Sequence, residues 1–158
     1  MDSIVFNLQF VLSTIAWGLL ASWFLVPWVR GMKHEQAILI LLIPHLFRDL
    51  GMYAMATAAF NPAFSELWAK TTAYTDAATQ LTAMLAVISL HFGWKIGLPV
   101  AWLCNIIGSV AYVVSTWLTS STHVPLHELA SSWFLPVFFL PVLLWSHIYL
   151  YRFLIRGK

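Results

Sequence analysis

Charged side chains are scarce in this chain: Asp, Glu, Lys and Arg make up 9% of its 158 residues, whereas a soluble domain carries about a quarter. That shortage, with 61% hydrophobic residues and a mean hydropathy of +0.81, excludes an ordinary soluble globular protein and points to a multi-pass membrane protein. Cysteine is nearly absent. Cys104 is the single one, so no intrachain disulfide can form and cysteine usage does not fix the redox compartment. A basic patch is missing as well: the formal net charge of +2 is spread over segment ends, which argues against a nucleic-acid partner. No basic residue precedes the first apolar stretch, and that stretch runs on to Trp28, longer than the core of a cleaved signal peptide. It reads as a membrane span. Finally, no span carries a central lysine for a Schiff base, and there is no glycine-rich phosphate loop, CxxC pair or HExxH.

What the chain does have is apolar length. A span needs about 20 mainly apolar residues, and five such stretches lie near residues 4–28, 37–60, 67–92, 97–118 and 133–155. The expected fold is an all-α bundle of five transmembrane helices forming one domain. If the helices alternate, Arg30, Lys33, Lys95, Arg152, Arg156 and Lys158 fall on one side and Lys70 alone on the other. By the positive-inside rule the N-terminus then faces outside and the C-terminus the cytoplasm. Trp28, Trp68, Trp94, Trp117 and Trp133 sit at span ends, where amphipathic rings favour the membrane interface.

Ionisable residues inside the spans carry the functional argument. The second span contains Pro44-His45-Leu46-Phe47-Arg48-Asp49, and a charge near the bilayer centre costs roughly 2.5–3.5 kcal/mol on insertion scales. Such groups face a protein interior and find partners. On an α-helix His45, Arg48 and Asp49 share a face, being three and four residues apart. Pro44 lacks the N–H that would reach the Ile40 carbonyl, so a bend is expected beside the histidine. The third span aligns Thr72, Asp76, Thr79 and Gln80, with Asp76 at the depth of Arg48; pairing them would offset much of their burial cost. Asn105, Ser109 and Tyr112 come from the fourth span, and Ser146 and His147 from the fifth. Counted this way, Arg48 against Asp49 and Asp76 leaves the cluster one cation short, to be balanced by a proton, a metal ion or a ligand cation.

Each feature also has a plain packing explanation. Arg48 and Asp76 can be a static lock between helices, since interhelical polar contacts are common in membranes. His45 and His147 at matching depth admit a bis-histidine haem or a metal, yet a lone histidine in a span is more often a hydrogen-bonded core residue. His123 and His127 have the i, i+4 spacing of helical metal sites, but nothing nearby completes a tetrahedral set, and Pro125 must then occupy the first helical turn. Small-residue stripes (Thr14, Gly18, Ala21, Ser22 in the first span; Ala101, Cys104, Gly108, Ala111 in the fourth) read as surfaces for close helix contact. Pro136 and Pro141 predict a bent or locally unwound fifth span. Phe134, Phe138, Phe139 and Trp145 offer a lipid or partner face.

The stretches Pro44-His45-Leu46-Phe47-Arg48-Asp49-Leu50-Gly51, Tyr74-Thr75-Asp76 and Trp102-Leu103-Cys104-Asn105-Ile106-Ile107-Gly108 resemble a family of small, uncharacterised bacterial multi-pass membrane proteins. In such relatives a histidine often stands where this chain has Asp49, and a polar residue follows the span-four glycine, here Ser109. The resemblance implies that His45, Arg48, Asp76 and Asn105 act as one set, and implies no activity.

The sequence therefore leads to an expectation of a bacterial inner-membrane protein. Its pocket, formed by His45, Arg48, Asp49, Asp76, Gln80, Asn105 and His147, would bind a proton, cation or small polar ligand, with no residue assigned to catalysis. Two alternatives stand beside it: a non-catalytic subunit of a larger membrane complex or homo-oligomer, and a bis-histidine haem or metal redox anchor.

Overall fold

Every described element is helical, as apolar segments with few turn residues require. The computed structural model describes residues 3–124 and 135–156. Its elements are α1 (Ser3–Leu20), a π-helical turn (Ala21–Leu25), α2 (Val26–Arg30), α3 (His34–Leu42), a 3-10 segment (Ile43–Met52), α4 (Tyr53–Phe60), α5 (Glu66–His91), α6 (Gly97–Ser121), a second π turn (Leu135–Phe139) and α7 (Leu140–Arg156). Among the described residues four stretches are long and apolar enough to cross a membrane: Ile4–Arg30, His34–Ala59, Gly97–Ser121 and Pro136–Arg156. The third stretch, α5, has 26 residues and so about 39 Å of length. It falls short in hydropathy, because Asp76, Gln80 and the threonines at 71, 72, 75, 79 and 82 dilute its apolar residues.

Prolines explain where the regular helix gives way. The Val26 amide donates to the Ala21 carbonyl, five residues back, and this wider turn immediately precedes Pro27, which has no amide of its own. The second π turn likewise precedes Pro141. At Pro44 the chain instead tightens into 3-10 coil, with a break at Phe47 (φ −111°, ψ 24°). The second span is thus three segments, where the sequence predicted one bent helix.

The described residues gather into two compact units. In the first, α1, α2 and most of α3 accompany α7. The small-residue stripe of α1 behaves as expected: the Trp145 ring lies directly against Gly18, and its indole N–H donates to the Thr14 carbonyl at 2.8 Å. Ser22 donates to the Gly18 carbonyl at 2.6 Å, so the Tyr149 hydroxyl, 2.8 Å away, must donate to Ser22. Trp145 therefore takes part in this helix contact, while Phe138 presents its ring against Trp17 at 5.0 Å and 79°. Phe134 lies outside the described residues.

The second unit holds the 3-10 segment, α4, α5 and α6. α5 starts at Ser65, whose hydroxyl accepts from the Trp68 amide at 3.4 Å as an N-cap. Glu66 and Lys70 pair one turn apart at 2.5 Å, a contact that holds the exposed Glu66 carboxyl below its ordinary range. The helix ends in a turn in which Gly93 adopts φ +67°. The Trp94 amide there reaches back to the Ser89 carbonyl at 2.8 Å, and the Gly93 amide reaches Leu90 at 3.2 Å, satisfying the last carbonyls of α5. From this tight return α6 lies along α5 on a seam of small residues: Gly97, Ala101, Cys104, Gly108 and Ala111 are all buried, at heptad spacing that lets backbones approach. Side-chain bonds tie the same seam, with Trp68 Nε1 donating to Thr119 at 3.0 Å and Thr72 to Ser115 at 3.2 Å.

Candidate functional site

The 3-10 segment sets the site because it changes the angular bookkeeping. At three residues per turn, positions i and i+3 eclipse, whereas i+4 lies about 120° around the axis. His45, Arg48 and Gly51 therefore form one ridge. His45 is fully buried and Arg48 is 2% exposed. Asp49 is exposed, which corrects the expectation that it joins the other two; that expectation assumed 3.6 residues per turn.

The Arg48 ridge meets α5 at Asp76. Arg48 Nε donates to Asp76 Oδ1 at 2.8 Å, and Arg48 Nη2 lies 2.7 Å from the same oxygen. Nη1 reaches the Gly108 carbonyl of α6 at 3.5 Å, so one guanidinium joins three elements. Asp76 Oδ2 sits against Gly51, where any Cβ would overlap the carboxylate. One turn along α5, Gln80 Nε2 donates to the Leu46 carbonyl at 2.8 Å, supplying a donor just ahead of the Phe47 break.

With Asp49 turned away, the charges held inside cancel: Arg48 carries one positive and Asp76 one negative. The shortfall of one cation expected from sequence does not arise at this site. Two of the three guanidinium nitrogens meet Oδ1, and Oδ2, beside a residue with no side chain, has the acceptor chemistry of a carboxylate oxygen. A proton, a cation or the N–H or O–H of a small molecule fits that acceptor chemically.

Of the other residues expected here, Asn105 is fully buried in α6, three positions before Gly108, and its carbonyl accepts from Ser109 at 2.7 Å. His147 is buried in α7 beside Ser146, which donates to the Leu41 carbonyl at 2.5 Å. It belongs to the first unit. Cys104 is buried and points its thiol at the Thr79 carbonyl at 3.7 Å. His123 does not occupy a helical position that could pair with His127: it takes φ +53° just past α6, with Nδ1 3.0 Å from the Ser120 carbonyl. His127 and Pro125 lie outside the described residues. Among those described, no group of three or more His, Cys, Asp or Glu side chains could hold a metal ion.

Gly51 and the Gly108 carbonyl were not anticipated from sequence. Gly51 had a signal, because a glycine within an apolar helical run marks close approach by another group.

Among the described residues, fold and site define an all-helical protein with four helices long and apolar enough to cross a membrane and a buried Arg–Asp ion pair between two of its segments. The chain belongs to the family described as Domain of unknown function (DUF8737), which matches residues 5–155. No curated protein and no solved structure matches it.

Proposed function

We propose that the chain is a bacterial inner-membrane protein that crosses the bilayer five times, with its N-terminus outside and its C-terminus in the cytoplasm. In this reading α5 is a crossing as well, the third in chain order, its polar stripe turned to the protein interior. The second unit binds a proton, a cation or a small polar ligand at Asp76. The observation that carries the reading is the Arg48–Asp76 pair, in which Arg48 Nε and Nη2 meet Oδ1 while Oδ2 lies over Gly51. Arg48 is the fixed partner and Asp76 the group whose contacts change on binding. His45, one 3-10 turn from Arg48, is the second group able to take up a proton. A charged pair in a low-dielectric interior responds strongly to a proton or cation arriving at one member.

The test is purification of the parent, Asp76→Asn and His45→Ala proteins, reconstitution into vesicles, and measurement of proton uptake and of binding of monovalent cations and small amines. The expected outcome is a response in the parent that is lost in Asp76→Asn and altered in His45→Ala, with helical content unchanged. Equal behaviour of all three would make the pair a static lock.

A second reading, a non-catalytic subunit of a larger membrane assembly, is favoured by α1, which leaves Ile4, Leu8, Val11, Leu12 and Ile15 all more than half exposed. Mass measurement of the complex after gentle extraction separates this from a lone chain surrounded by lipid.

A further inference from the structure

Asp49 is the acidic group that the site does not absorb. Arg48 is occupied by Asp76 and by the Gly108 carbonyl, so the adjacent guanidinium is not available to balance it. Among the described residues no hydrogen bond or ion pair reaches the Asp49 carboxylate. The nearest exposed side chains along the chain are apolar or aromatic: Phe47 is 57% exposed, Met52 50% and Tyr53 43%. Asp49 stands ten residues before the end of the His34–Ala59 stretch, about 17 Å along the axis when the 3-10 residues to Met52 rise about 2.0 Å each and the α-helical ones 1.5 Å. That depth is near the middle of a hydrocarbon layer about 30 Å thick. Phospholipid headgroups lie too far off to solvate the carboxylate, and the segment is followed by Ala54 to Ala59 with no basic residue.

We infer that the face bearing Asp49, Met52 and Tyr53 docks a membrane-crossing helix of another protein that carries a lysine or arginine near its midpoint. The inference rests on the membrane-spanning reading above. Charge complementarity selects the occupant. A purely apolar helix would leave the carboxylate in oil, and a second copy of this chain placed across a twofold axis would bring one Asp49 toward the other. A basic group at matching depth neutralises Asp49, while Met52 and Tyr53 supply packing surface on either side of the ion pair.

The test uses the full chain reconstituted in phosphatidylcholine vesicles with labelled leucine–alanine transmembrane peptides, one with a central lysine and one with a central leucine, association being read by energy transfer. The lysine peptide should associate about tenfold more tightly than the leucine peptide, the scale of one interhelical polar contact. Asp49→Asn should abolish that preference and Asp49→Glu should keep it. Asp49 is exposed, so neither variant should disturb folding, which circular dichroism checks. Equal association of the two peptides, or a preference that survives Asp49→Asn, overturns the inference. So does self-association that depends on Asp49 in the absence of peptide. Failure of the parent chain to resist alkaline extraction from the vesicles would instead remove the membrane-spanning reading, and the docking inference with it.

Discussion

A methyl group on Gly51 would occupy the space of the Asp76 carboxylate, so this glycine and the ion pair depend on each other. Gly51→Ala should push Asp76 away from Arg48 and lower stability by about 1–3 kcal/mol, the usual range for overpacking, measured as a lowered unfolding midpoint in mild detergent. In an Asp76→Ala background the same glycine change should cost much less, because the clashing group is gone; a double-mutant cycle reads this coupling. At this scale the sequence was legible for pairs and misleading for faces. Arg48 and Asp76 were expected to meet because two opposite charges at one depth in apolar helices have few other ways to offset burial. Asp49 was misplaced because its direction depends on residues per turn. Proline signals that a helix is disturbed, but not whether it will tighten to 3-10 or widen to π coil.

Both outcomes occur along this chain, tightening at Pro44 and widening ahead of Pro27 and Pro141. The small-residue stripes were readable because a run of Thr, Gly, Ala and Ser at helical spacing has little other use in an apolar segment. Their occupants were not: nothing in the sequence tells that Trp145 fills the notch at Gly18, since that match depends on the register between α1 and α7. Gly18→Val should force the indole out, break its bond to the Thr14 carbonyl and destabilise the α1–α7 contact by about 1–3 kcal/mol. Thermal unfolding followed by circular dichroism checks this. Gly31→Ala serves as the control, since its nearest neighbour to an added Cβ is 3.5 Å away and it should leave the melting temperature unchanged.

At the scale of the whole molecule, the status of α5 decides topology. An odd number of crossings puts the chain ends on opposite sides of a membrane, and an even number puts them together. With α5 as a crossing, a protease-sensitive tag before Met1 should be cleaved from outside spheroplasts while a tag after Lys158 is protected; equal protection of both would reduce the crossings to four. The sequence carried this expectation through five apolar stretches, and the orientation through the distribution of Lys and Arg. α5 is the stretch that falls short in hydropathy, because it spends positions on threonines and on Asp76 and Gln80. The turn at Gly93 adds a consequence for biogenesis in the five-crossing reading. A segment as polar as α5 partitions poorly into lipid alone, but the short return brings it against the apolar α6 as soon as both have been synthesised. The two would leave the insertion machinery as a hairpin, so lengthening that return should trap the chain at the stage before α5 enters the bilayer.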